Sequence, residues 1–110
     1  MSSSSQWETK TKAAANAGDE TAAIQHRGYT TFSAVDPNGT YAGKVILWRS
    51  LDAGVSWQNV WQQTQVAADL AIYKTIATAE PNVMYKVEMD TITAGTALNL
   101  TISSAYKPGV

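Results

Sequence analysis

Catalysis at neutral pH needs a titratable group held by partners that tune it, and this chain is poor in such groups. It has one histidine, His26, no cysteine, and nine carboxylates spread over 110 residues. His26 stands between Gln25 and Arg27 and reads as a surface residue; no Gly-x-Ser-x-Gly elbow supplies a nucleophile for it to activate. Glycoside hydrolysis needs two carboxylates in one cleft. Here Asp36 and Asp52 fall in turn sequences, Glu8, Asp19 and Glu20 in a polar N-terminal stretch, and Glu88 beside Lys86 on an alternating strand whose outer face is solvated. One His and scattered acids do not make the ligand cluster that zinc or calcium requires. Gly39, Gly43 and Gly54 are not spaced as a phosphate loop. The sequence therefore predicts no catalytic residue, no metal site and no cofactor.

The informative spacing is structural. Ser50-Leu51-Asp52-Ala53-Gly54-Val55-Ser56-Trp57 reads Ser-x-Asp-x-Gly-x-x-Trp and follows the apolar run Lys44 to Trp48. That order predicts a strand, a tight turn and a return strand. Asp52 accepts bonds from turn amides, Gly54 takes a positive φ, and Trp57 carries an apolar face back to the core. The spacing resembles the Asp-box, a hairpin motif of sialidases and many unrelated β proteins. The resemblance implies a structural turn at Ser50, Asp52, Gly54 and Trp57, away from any chemistry. A sialidase-like arginine cluster is missing, since the only arginines are Arg27 and Arg49.

Aromatic residues are the remaining candidate site. Trp48, Trp57 and Trp61 surround this hairpin, with Tyr41 just before it. Exposed, such a row stacks on sugar rings; buried, it is core. Trp57 is assigned to the core. Trp48 and Trp61 are divided between the core and a subunit interface, where such residues are enriched. Trp7, the one large apolar residue before Ile24, either folds back on its own domain or docks on a neighbouring subunit.

The elements that position these residues are strands. Thirteen threonines and four tryptophans favour sheet over helix, and from residue 28 strand signals recur about every ten residues, as in a sandwich or barrel. Tyr29 to Val35 is closed by the turn sequence Asp36-Pro37-Asn38-Gly39. Tyr41 to Arg49 puts Tyr41, Val45 and Leu47 on one face and Ile46 and Trp48 on the other, as in a central strand. Trp57 to Gln62 returns, with Trp57, Asn59 and Trp61 sharing a face. Residues 62–76 are ambiguous. Met84 to Met89 alternates, setting Met84, Lys86 and Glu88 against Tyr85, Val87 and Met89, and Leu98, Leu100 and Ile102 form a last strand. The expectation is an all-β, single-domain antiparallel β-sandwich, jelly-roll-like, over residues 28–104. An extended N-terminal arm, 1–27, precedes it and a loose tail, 105–110, follows.

Bulk properties narrow the function classes. A net charge of −1 with 15% charged residues offers no cationic field for nucleic acid. No apolar run approaches the roughly 20 residues of a membrane span, and the start Met1 to Gln6 lacks the pattern of a signal peptide.

Gly39-Thr40, the strand ending in Trp48-Arg49-Ser50, the Asp52-Ala53-Gly54-x-x-Trp57 turn, Glu80-Pro81, Met84-Tyr85-Lys86-Val87 and Ala94-Gly95-Thr96 occur in that order. The pattern resembles a group of small β-sandwich structural proteins of tailed-bacteriophage virions. Ala53 stands where that group usually has Gly, Lys86 where it has Arg, and Ala94 where it has Ser. The resemblance implies a non-enzymatic capsid decoration or cement protein, made in the host cytoplasm and located in the virion. It further implies a homotrimer that clamps the major capsid protein or other virion subunits, with Ser2 to Arg27 reaching a neighbour. The alternative is a carbohydrate- or receptor-binding module of a tail fibre or other appendage, with a glycan as ligand.

Overall fold

The computed structural model describes residues 8–36, 39–66, 71–77, 83–95 and 98–106. Nine strands form among these residues, in chain order: β1 (Glu8–Ala14), β2 (Asp19–Glu20), β3 (Ile24–Gln25), β4 (Gly28–Val35), β5 (Ala42–Ser50), β6 (Gln58–Gln65), β7 (Ala71–Ile76), β8 (Met84–Ala94) and β9 (Leu98–Tyr106). No helix occurs among the described residues, so none there is long and apolar enough to cross a membrane.

Every pairing is antiparallel. One sheet has the order β1-β9-β4-β7; the other runs β2-β8-β5-β6, with β3 also on β8. Strands β2 and β3 lie on the same neighbour, interrupted by Thr21 to Ala23, and act as one broken strand. Counted so, the sheets hold the first, eighth, third and sixth strands and the second, seventh, fourth and fifth. That is the strand order of an eight-stranded jelly roll, two interleaved Greek keys.

Period-2 patterning puts the core between the sheets. Strand β4 alternates buried and half-buried residues throughout, burying Phe32 and Ala34. Val45 and Leu47 of β5, Tyr85, Val87 and Met89 of β8, and Leu98, Leu100 and Ile102 of β9 meet them in one cluster with Tyr41 and Ile72. Each such side chain contributes about 2 kcal/mol of transfer free energy. The alternation predicted for Tyr41 to Arg49 and for Met84 to Met89 holds, and β5 is central, between β8 and β6.

The N-terminal boundary is different from the one the sequence suggests. Among the described residues the sandwich already includes Glu8 and does not start at residue 28. Strand β1 runs along β9 from the Glu8–Ser104 pair to the Ala14–Leu98 pair, and β2 and β3 complete the other sheet. An edge strand is held by its ladder of backbone bonds, so β1 needs little apolar side chain; Ala14 is its one buried residue. At the other end β9 extends through Ala105, which is buried, to Tyr106. The ambiguous stretch 62–76 is strand wherever it is described, in β6 and β7. Trp7 and the tail 107–110 lie outside the described residues.

Candidate functional site

The hairpin β5–β6 ends in a turn built on three side chains. Ser50, the last and fully buried residue of β5, donates from Oγ to Asp52 Oδ1 (2.8 Å), while the same oxygen accepts from the Gly54 amide (2.8 Å). Asp52 Oδ1 accepts the Ser56 amide (2.8 Å), and Oδ2 accepts the Ser56 hydroxyl. The Val55 amide closes on the Asp52 carbonyl at 3.3 Å. These bonds hold the Asp52 carboxyl down at about 2, those from the Ser56 hydroxyl and amide first and that from Ser50 after them. Ala53 and Gly54 both take positive φ, 60° and 90°. The Asp-box-like spacing is thus a turn whose polar groups satisfy one another. Two large apolar side chains are left outside: Leu51 is 57% and Val55 83% exposed.

Trp57 does not enter the core. It is half-buried, and Lys86 Nζ sits 4.5 Å from its ring centroid. Lys86 also binds Glu20 Oε1 at 2.9 Å, and Trp48 Nε1 donates to Glu88 Oε1 at 2.8 Å. Cross-strand register explains the cluster. Asn59, Trp48 and Lys86 lie in one row across β6, β5 and β8. Gln62, Ile46, Glu88 and Glu20 lie in the next, which ends on β2. These rows form the outer face of the second sheet, an apolar and polar surface with two tryptophans at one end. Glu20 and Glu88 are direct cross-strand neighbours, but their carboxylates turn to separate partners, Lys86 and Trp48.

Trp61 lies on the opposite face. It meets Phe32 edge-on with centroids 5.1 Å apart, and Lys74 Nζ of β7 lies 5.9 Å from its ring. The expected grouping of Trp57, Asn59 and Trp61 on one face fails at a β-bulge. Leu47 pairs with Trp61 and Trp48 with Asn59, leaving Val60 as the extra residue that reverses the alternation.

His26 is buried at 4% exposure, not a surface residue. Its Nδ1 lies 2.6 Å from Thr30 Oγ1, its amide donates to the Val83 carbonyl (2.8 Å), and its ring meets Tyr85 edge-on at 5.4 Å. Gly28 and Thr30 start β4 immediately after it, which draws the ring beneath the sheet. The ring packs between Thr30 of β4 and Tyr85 of β8. No group of three metal-ligating side chains occurs among the described residues.

Two polar positions escaped the sequence. Asp36 is buried, and its Oδ2 accepts the amides of Thr40 (2.6 Å) and Tyr41, fixing the β4–β5 connection. The available signal was an Asp followed four and five residues later by the amides it caps, six residues before β5 starts. The Glu20–Lys86–Trp57 chain joins residues from three distant segments, and only strand register brings them together.

No family model and no curated protein matches the chain. Among solved structures it is similar to the crystal structure of the Yersinia pseudotuberculosis-derived mitogen. That likeness has 12% identity and a TM-score of 0.46, covering 96% of this chain and 89% of that one.

Proposed function

We propose that this chain is a non-enzymatic structural protein of a bacteriophage virion, a decoration or cement protein that binds shell subunits through the tip of its β5–β6 hairpin. The observation that supports this reading is the pairing of rigidity with exposure at that tip. Ser50, Asp52 and Ser56 fix the turn, and Leu51 and Val55 project from it into solvent. Exposed apolar side chains on a well-held loop bind a partner with little ordering cost. The architecture is one that capsid proteins and lectins share, so fold alone does not choose the function.

The test is co-sedimentation with phage shells prepared from a mutant that lacks this chain. The purified protein is expected to pellet with the shells. The double variant Leu51→Asp/Val55→Asp is expected to stay in the supernatant with an unchanged Tm. Failure of the unaltered protein to pellet with heads or tails overturns the proposal. Truncation of residues 1–27 is not a usable test, because it removes β1, β2 and β3 from both sheets.

A second reading, a glycan-binding module of a virion appendage, is supported by the outer face of the second sheet. There Trp48 and Trp57 lie beside Asn59, Gln62, Lys86 and Glu88. Saccharide-dependent quenching of tryptophan fluorescence, abolished by Trp48→Ala, is its expected signature. An unchanged emission across a panel of host surface glycans removes it.

A further inference from the structure

Among the described residues each sheet has two outer strands: β1 and β7 in one, the broken β2–β3 and β6 in the other. An open edge is a template for another chain, and proteins protect it with charge, interruption or shortness. Three of these edges are protected so. Strand β1 carries Glu8, Lys10 and Lys12; β2 and β3 are two residues each and bear Asp19 and Glu20; β7 carries Lys74.

Strand β6 is the exception. Its eight residues, Gln-Asn-Val-Trp-Gln-Gln-Thr-Gln, contain no charge, no proline and no glycine. The bulge at Val60 disturbs only its first half and leaves Trp61 to Gln65 in regular register with β5. Gln62, Gln63 and Thr64 are exposed along that regular half.

We infer that β6 is an assembly edge whose partner is β6 of a second copy of this chain, paired antiparallel about a two-fold axis. The side chains favour a copy over a foreign strand. A carboxamide is donor and acceptor at once, so a row of Gln and Asn is complementary to itself, and no like charges meet across the axis. With the axis at Gln63, the two Gln63 amides face each other and Gln62 meets Thr64 of the partner subunit. The second sheets of the two copies join into one continuous sheet. An antiparallel pair is isologous and closed. The state assigned is therefore a dimer, in place of the homotrimer that the virion resemblance implies. The inference is independent of shell attachment, which rests on the hairpin tip and not on β6.

Sedimentation equilibrium of the purified full chain tests it. The unaltered protein is expected at twice its 11.8 kDa mass. Gln63→Lys sets two ammonium groups against each other and is expected to weaken association by about fivefold to tenfold, with the circular dichroism spectrum unchanged. Gln63→Glu alone is expected to do the same, and mixing the two variants is expected to restore the dimer. A monomer or a trimer for the unaltered protein overturns the inference, as does a dimer that Gln63→Lys leaves intact.

Discussion

Ala53 takes φ +60° immediately before Gly54 at φ +90°, so the β5–β6 turn has two consecutive left-handed residues and glycine at only one. Positive φ at both central positions is what a type I′ hairpin turn demands. An L-residue pays for it through the approach of its Cβ to the following carbonyl, about 1 kcal/mol. Ala53→Gly relieves that strain against a smaller loss of unfolded-chain restriction. A stabilisation of about 0.5 kcal/mol is expected, read as a rise in the urea midpoint at constant slope.

The same turn predicts an acid response. The Asp52 carboxyl lies below its ordinary value of 3.8, at about 2, because Ser56 and Ser50 bond its charged form. A folded-state value below the unfolded one means that its contribution is complete above 3.8 and is lost as pH falls through about 2. Asp52→Asn is therefore expected to melt a few degrees lower than the unaltered protein at neutral pH. The two Tm curves should converge in acid; parallel curves across that window would show that the turn bonds do not hold the charge.

Tyr41 predicts the opposite end of the pH scale. Its hydroxyl donates to the Thr91 carbonyl at 2.7 Å, and burial, with the nearby Asp90 charge, pushes it from 10 up to about 12. The folded value exceeds the unfolded one, so stability is complete below pH 10 and is lost between 10 and about 12. Tyr41→Phe removes that alkaline loss while costing about 1 kcal/mol at neutral pH. Thermal melts of both proteins from neutral to alkaline pH check both effects.

At Gly43 the backbone of β5 leaves no room for a side chain against β8. A Cβ there would overlap the Thr91 carbonyl oxygen and lie 2.5 Å from the Tyr41 hydroxyl. Gly43→Ala is expected to cost about 2–3 kcal/mol, in the range of overpacked cores, by forcing β5 from β8. A denaturation midpoint within error of the unaltered protein would show that the two strands can part there freely.

Legibility in the sequence followed side-chain size. Strands that bury large residues at period two, such as Phe32 and Ala34 or Tyr85, Val87 and Met89, announce themselves. Strand β1 does not, because it is held to β9 by backbone bonds and carries Thr, Lys and Ala. The burial of His26 is hidden for a related reason: its flanks Gln25 and Arg27 are polar, and only the start of β4 two residues later puts its ring under the sheet. The turn at Ser50 to Trp57 was legible in its hydrogen bonds, since Asp and Ser at that spacing reach their own amides. The place of Trp57 was not, because it packs under Lys86, which Glu20 holds in turn, and both partners come from distant segments across the sheet. The split of Asn59 from Trp61 hangs on one bulged residue, Val60, which no alternation pattern marks.

The pairing of β1 with β9 sets a schedule for folding. Residues 8–14 leave the ribosome first among the described strands, and their only neighbour in the sheet, residues 98–106, leaves last. At about 5–20 residues per second, β1 waits roughly 5–20 s for the strand it will join. Contacts so distant along the chain also place the domain among slow folders once synthesis ends. A waiting strand of large apolar residues would pair with other nascent chains. Alternating Glu8, Lys10 and Lys12 with threonine lets this one stay solvated until β9 arrives.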